Sequence, residues 1–187
     1  MKKIFALMMV TTLMAFTFDP AVAASKKANE LKRQATDQMA KDTLTELYKT
    51  REQSKAFFDG SYGYAVFNNV KLSLMVSAGG GQGVAVDKKT GKRTYMRMGT
   101  AGVNIGLGAQ KYQVIFLFED KKIFDNFVNK GWQADANANA VAGTSGLNAE
   151  ATFKNGIAVY QITEAGLMLQ ADISGTKYWK NKKLNKK

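Results

Sequence analysis

The sequence predicts an α+β fold: a strongly curved, mainly antiparallel, barrel-like sheet covered by N-terminal helices and one internal helix. Three observations support this. Apolar residues recur at helical spacing before residue 60, short β-type segments rich in glycine and alanine fill residues 63–174, and one amphipathic helical segment interrupts them. No linker rich in Pro or Ser divides the chain. We therefore expect one domain over residues 24–187, with its core at about 44–179 and a basic C-terminal tail.

The first 23 residues have the composition of a cleaved signal peptide. Met1–Lys3 is short and basic, Ile4–Phe18 is mostly apolar, and Ala21–Ala23 supplies the small residues that signal peptidase requires. The apolar segment has 15 residues, whereas a membrane-spanning helix needs roughly 20. We expect cleavage near Ala23/Ala24, no transmembrane segment in the mature chain, and a periplasmic location.

Composition limits the possible functions of the mature chain. Removing residues 1–23 takes away Lys2, Lys3 and Asp19, which leaves 25 basic and 14 acidic residues, a net charge of +11, over 164 residues. The chain has no Cys and no His, so it cannot be a lipoprotein or use thiolate or imidazole chemistry. In a secreted protein, a basic surface favours anionic lipid, envelope polymers or acidic proteins over nucleic acid.

The segment after the signal peptide is predicted to be helical. Apolar residues recur at spacings of four from Leu31 to Met39, with Lys and Gln on the other faces. Asp42 or Thr43 is expected to cap a second helix, and Ser54 a short third one that ends at Asp59–Gly60.

Strands are predicted from Gly63 onward. Leu72–Val86 and Lys92–Met98 flank Asp87–Gly91, a polar connection typical of a hairpin turn. Tyr112–Phe118 is predicted to be a buried strand, and Asp120–Asn129 the amphipathic internal helix.

The remaining β-type segments complete the predicted sheet. Alanine alternates with polar residues from Trp132 to Ala142, which predicts a strand with one polar face and one face of methyl groups. Ile157–Ile162 and Leu167–Ile173 are predicted strands joined by a turn at Glu164–Gly166. Glycines within strands predict bends or close backbone approach; these are Gly102, Gly106 and Gly108.

The sequence indicates no catalytic site, cofactor or metal. Gly79–Gly83 resembles a phosphate-binding loop only superficially, because Val84–Val86 continues a strand and no Gly-Lys-Ser/Thr follows. A hydrolase acting on an envelope polymer would need two carboxylates that converge in a cleft. The scattered candidates are Asp135, Glu150, Glu164 and Asp172.

Basic residues form three groups. One lies at Lys26–Arg33, the second at the predicted hairpin tip with Arg97 beside it, and the third in the tail Lys177–Lys187. Lysines around aromatic rings suit a membrane interface, where cations meet phosphates and rings enter the head-group region. Alternatively, Tyr178 and Trp179 pack on the sheet and the lysines only keep the protein soluble. The predicted lipid-binding residues are Lys177, Tyr178, Trp179, Lys180, Lys182, Lys183, Lys88, Lys89, Lys92 and Arg93.

The β-rich region resembles the SYLF domain family over roughly Leu44 to Trp179. The segments that carry the resemblance are Gly63–Phe67, Gly83–Val84, Gly106–Gln110, Phe116–Phe118, Gly166–Leu167 and Ser174–Gly175. The resemblance implies binding of phosphoinositides or other anionic lipids, and some eukaryotic members bind actin alongside an SH3 or FYVE module. We therefore expect a non-enzymatic module of the bacterial cell envelope that binds anionic phospholipid. The alternative is a periplasmic structural or assembly protein that binds another envelope protein.

Overall fold

The computed structural model describes residues 20–133, 153–163, 166–168 and 175–186, with only the backbone described at 20–23, 72–77, 102–110 and 166–168. The helices are α1 (Pro20–Thr50), α2 (Gln53–Gly60) and α3 (Lys121–Lys130). The strands are β1 (Gly63–Asp87), β2 (Arg93–Phe118), β3 (Trp132–Gln133), β4 (Ile157–Thr163), β5 (Gly166–Met168) and β6 (Thr176–Lys180).

The described strands form one antiparallel sheet around a long hairpin. At the open end of the hairpin, Gly63 of β1 pairs with Phe118 of β2, and next to the turn Val86 pairs with Arg93. Two strands pair with the other edge of β2. β6 pairs with residues 96–100 of β2, and β4 pairs with residues 112–118. β3 adds to β6 and β5 adds to β4. The predicted α+β class with a strongly curved antiparallel sheet is confirmed.

The two halves of β1 meet backbone to backbone. A Cβ atom placed on Gly81 would lie 2.0 Å from the carbonyl oxygen of Asn68, and one on Gly83 would lie 2.2 Å from that of Val66. The β1–β2 register shifts between Leu74 and Val76, midway along the strand. The hairpin thus curls until its second half touches its first. Glycine is needed on the contacting side because no side chain fits there.

Each face of the curled sheet has its own apolar core. The inner face packs on α3, and the outer face packs on α1, α2 and the C-terminal segment. The inner core is built around Ala65, Phe67, Met96, Met98, Val114, Phe116, Phe118, Phe124, Phe127 and Tyr178. The outer core is built around Leu44, Leu47, Val66, Val84, Tyr95, Ile115, Leu117, Tyr160 and Leu184.

The helices differ from the prediction at two points. α1 is continuous through Thr43, whose hydroxyl donates to the carbonyl of Met39 inside the helix (2.8 Å) instead of capping a new one. α2 begins at Gln53, and Ser54 lies buried in its first turn with its hydroxyl donating to Arg51 O (2.6 Å). The internal helix is as predicted, since the Asp120 carboxylate accepts from Ile123 N (2.8 Å) at its N-terminus.

The predicted strands run together where the sequence suggested breaks. Segments from Gly63 to Val86 form the single strand β1, and Asp87–Gly91 is the hairpin turn, in which Gly91 has φ +70°. The predicted strand Trp132–Ala142 is described only as β3, and Leu167–Ile173 only as far as Met168; the rest lies outside the described residues. Among the described residues, no helix combines the length and apolarity needed to cross a membrane.

Candidate functional site: a basic, aromatic sheet surface

The two aromatic residues of β6, Tyr178 and Trp179, lie on opposite faces of the sheet. Tyr178 faces inward with 0% of its surface exposed, and its ring centroid lies 4.7 Å from that of Phe67 and 5.0 Å from that of Phe116. Trp179 faces outward and is 38% exposed. Tyr178 is therefore a core residue that cannot meet a membrane, whereas Trp179 is available at the surface.

Trp179 rests on a glycine between two cations. A Cβ on Gly99 would lie 3.1 Å from the Trp179 indole, so the end of the six-membered ring packs closely over Gly99 of β2. Arg97 is the cross-strand partner of Trp179, and Lys177 is that of Gly99. Partners across a sheet point to the same face. Arg97 and Lys177 therefore flank the indole on the outer face, and both are exposed.

The exposed side chains around Trp179 form a continuous surface, which we call the outer patch. Gln82 pairs with Arg97, Val70 pairs with Lys111, and the contact between Gly81 and Asn68 joins these two rows. Val70 is 42% exposed and, with Trp179, gives the patch its apolar part. The outer patch consists of Asn68, Val70, Gln82, Arg97, Lys111, Lys177 and Trp179. It holds three cations and no carboxylate.

The sequence prediction missed most of this patch. Arg97 was grouped with the hairpin tip, and Lys111 and Val70 were not predicted at all. Arg97 lies between the apolar residues Met96 and Met98, and Lys111 precedes the apolar residues Tyr112 and Val114, so their alternation was visible in the sequence. The register that brings them beside β6 was not visible, because it depends on pairing between residues about 80 positions apart.

The lysines after Trp179 belong to a docked segment. Lys180 points to the α3 side, where its ammonium donates to the Asn129 side chain (2.8 Å). Leu184 is buried in the outer core, and its carbonyl accepts from Arg33 of α1 (2.8 Å). Lys182 and Lys183 remain exposed on the turn between them. The predicted basic tail is thus a structured edge of the domain as far as residue 186.

Lys88 at the hairpin tip closes the end of α2. Its ammonium donates to the carbonyls of Phe58 (2.6 Å), Asp59 (3.0 Å) and Ser61 (2.8 Å), and lies 4.6 Å from the Phe58 ring centroid. An ammonium has three N–H donors, and all three are used. Burial lowers the pKa of Lys88, an effect that nearby Asp59 opposes. Lys88 is therefore placed for structure and has no free donor for a lipid phosphate.

We expect Lys88→Met to destabilise the protein by about 1–3 kcal/mol, because carbonyl groups at the C-terminus of α2 lose a charged donor. Urea unfolding followed by circular dichroism measures this. Lys89→Met is the matched control, since Lys89 is exposed and the change should cost less than about 0.5 kcal/mol. Equal stability of the two variants would contradict the capping role.

Of the other basic residues predicted at the hairpin, one forms an ion pair within the domain and two are exposed. Arg93 pairs with Asp37 of α1, with 3.5 Å between Nε and Oδ1. Lys89 and Lys92 are exposed at the turn. The structure thus brings together Lys177 and Trp179 with Arg97, and it leaves Lys89 and Lys92 apart from them on the hairpin turn.

The features considered for catalysis give no assembled site within the described ranges. No three carboxylates there are close enough to share a metal ion. Ser61 is buried, and its hydroxyl donates to Phe58 O (2.7 Å). The four carboxylates considered for a hydrolase all lie outside the described residues.

Sequence comparison identifies the class of protein that carries this surface. Residues 99–187 match the family Ysc84, described as "Las17-binding protein actin regulator". This match confirms the predicted resemblance to the SYLF domain family, which is a family of binding domains.

A characterised relative supports the same family. The chain is 45% identical over 170 residues, 87% of its length, to beta cell expansion factor A of Aeromonas veronii. The match covers 65% of that protein, so the chain spans slightly less than two thirds of the relative's length.

Proposed function

We propose that this protein is a non-enzymatic module that binds anionic phospholipid surfaces of the bacterial cell envelope through the outer patch. The observation that carries the proposal is the exposed indole of Trp179, which lies on Gly99 between Arg97 and Lys177. The match of residues 99–187 to a family of binding domains supports it. The three segments typical of a signal peptide in residues 1–23 support placing it in the periplasm.

The patch has the chemistry of a membrane-interface site. An indole is stable at the head-group level because its ring is apolar and its N–H is polar. Each cation near an anionic surface contributes about 1 kcal/mol. Arg97, Lys111 and Lys177 together contribute about 3 kcal/mol, and the exposed Lys182 and Lys183 extend the positive region beyond β6. The sheet fixes the backbone positions of Arg97, Lys111, Lys177 and Trp179, so binding requires no ordering of the backbone there.

We expect Arg97→Glu/Lys177→Glu to weaken binding to phosphatidylglycerol or cardiolipin vesicles at least about tenfold, because two attractive charges become repulsive. Trp179→Ala should weaken it further by removing the inserted ring. Vesicle flotation at near-physiological salt, where the Debye length is about 8 Å, measures the bound fraction.

The control for this experiment carries the same change in charge on the opposite side of the sheet. Lys122 and Lys130 are exposed on α3, so Lys122→Glu/Lys130→Glu should keep most of the binding. Equal loss in both double variants would mean that only net charge matters, and would remove the outer patch from the proposal. Wild-type protein that fails to float with anionic vesicles would overturn lipid binding itself.

The second candidate function is binding of another envelope protein. The family description, which names a protein partner, favours it. This function predicts saturable binding that is indifferent to lipid charge. In the flotation experiment it corresponds to no binding of the wild type to either anionic or zwitterionic vesicles.

A further inference from the structure

The first half of α1 buries none of its side chains against the domain. No residue from 24 to 35 is buried, and burial along the helix begins at Thr36. Arg33 ties this segment to the domain, because its guanidinium donates to the carbonyls of Leu184 (2.8 Å) and Lys186 (2.9 Å). We call residues 24–35 the arm. A helical segment of about 12 residues without tertiary packing is marginally stable in water, so a surface that covers the arm would stabilise it.

Leu31 gives the arm an exposed apolar side chain. It is 57% exposed, and the other large apolar side chains exposed within the described ranges are Val70 and Trp179 of the outer patch. Ala40, which packs in the outer core, follows Leu31 by nine residues, or about two and a half helical turns. Leu31 therefore points away from the sheet, on the same side of the molecule as the outer patch.

Cations surround Leu31 as they surround Trp179. The exposed lysines of the arm are Lys26, Lys27 and Lys32. The arm has one carboxylate, that of Glu30, and it forms an ion pair with Arg33 at 3.0 Å. An apolar side chain among lysines is typical of helices that lie in the interface of an anionic membrane. The arm and the outer patch thus have the same chemistry.

We infer that the arm is a second contact with the anionic membrane and binds it together with the outer patch. This inference rests on the proposed function, because the partner is the same bilayer. Tyr95 of β2 donates to Asp37 of α1 (3.1 Å), and Arg97 of the patch is the next outward residue on β2, so the helix runs beside the patch. A partner helix fits the arm less well. Leu31 is the one large apolar residue in positions 24–35, whereas paired helices use two apolar positions in every heptad.

Charge reversal on the two halves of α1 tests the inference. Lys27→Glu/Lys32→Glu should weaken binding to phosphatidylglycerol vesicles at least about tenfold in flotation, because two attractive charges become repulsive. Lys41→Glu/Lys49→Glu is the matched control, since both lysines are exposed on the second half of the same helix and the change in charge is the same. This control should keep most of the binding. The same loss in both double variants would overturn the arm as a distinct contact.

A dye at position 31 reports the contact directly. The chain has no Cys, so Leu31→Cys and Asn126→Cys each provide a single site for an environment-sensitive dye, and Asn126 is exposed on α3, on the opposite side of the sheet. On phosphatidylglycerol vesicles, the emission of the dye at position 31 should shift to the blue, and that of the dye at position 126 should not.

The outcomes separate the arm from the outer patch. If the wild type floats but the dye at position 31 does not shift, the arm is overturned and the outer patch stands. If the wild type does not float with anionic vesicles, both proposals are overturned. A blue shift at position 31 that appears without vesicles and grows with protein concentration would identify a second copy of the chain as the partner, and would overturn the membrane contact of the arm.

Discussion

Gly81→Ala is expected to destabilise the protein by about 3 kcal/mol or more, a large part of the 5–15 kcal/mol that holds a typical domain together. The new Cβ would lie 2.0 Å from the carbonyl oxygen of Asn68 and 3.0 Å from its carbonyl carbon. Both atoms belong to the backbone, so no side-chain rotation relieves the overlap. The two halves of β1 would have to separate, which opens both cores.

Gly80→Ala is the matched control, one residue away in the same strand. Its Cβ would meet only the carbonyl oxygen of Met98, at 3.7 Å, which is an ordinary contact. This change should be neutral or stabilise by up to about 1 kcal/mol, because alanine restricts the unfolded chain. Urea unfolding compares the two variants. If Gly81→Ala does not fold, its loss of soluble yield and of the circular dichroism signal replaces the unfolding measurement. Equal stability of the two variants would show that β1 does not contact itself at Asn68.

The curled hairpin shows how far the sequence predicts this fold. Period-two alternation and the polar turn at Asp87–Gly91 are local signals, and they predicted strands, a hairpin and a curved sheet. Close backbone approach was predicted for Gly102, Gly106 and Gly108, whereas Gly79–Gly83 was predicted only to lie in a strand. The sequence could not show that the approaching group is the first half of the same strand. The contacts of Gly79 with Val70, Gly81 with Asn68 and Gly83 with Val66 join residues 9 to 17 positions apart within one strand.

The candidate site shows the same division between local and tertiary information. Alternation in β6 predicts that Tyr178 and Trp179 point to opposite faces, but not which one is buried. The deciding contacts come from Phe67, Phe116 and Trp132, which no local pattern links to β6. Lys88 looks like a solvated charge for the same reason, because the carbonyls that it caps lie 27 to 30 positions earlier.

Leu184→Ala is expected to lower the free energy of unfolding by about 2–4 kcal/mol, although Leu184 lies three positions before the last residue, among lysines. Its side chain is 3% exposed and packs in the outer core. Around it, Asn185 donates from its side chain to Tyr95 O (2.6 Å) and accepts from Tyr95 N (3.0 Å). The segment thus extends the sheet edge past β6 and holds it against α1.

Lys183→Ala supplies the control, since Lys183 is exposed and adjacent. It should leave the free energy of unfolding within about 0.5 kcal/mol of wild type, while slightly weakening flotation with anionic vesicles. Leu184→Ala should do the reverse at temperatures where it remains folded: lower stability with unchanged vesicle binding. Such a crossed result would separate the two roles of the C-terminal segment, with alternate residues holding the domain together and presenting its charge. Equal stability of the two variants would mean that the C-terminal segment does not pack in the outer core. The lysines would then belong to a mobile tail and not to a fixed surface.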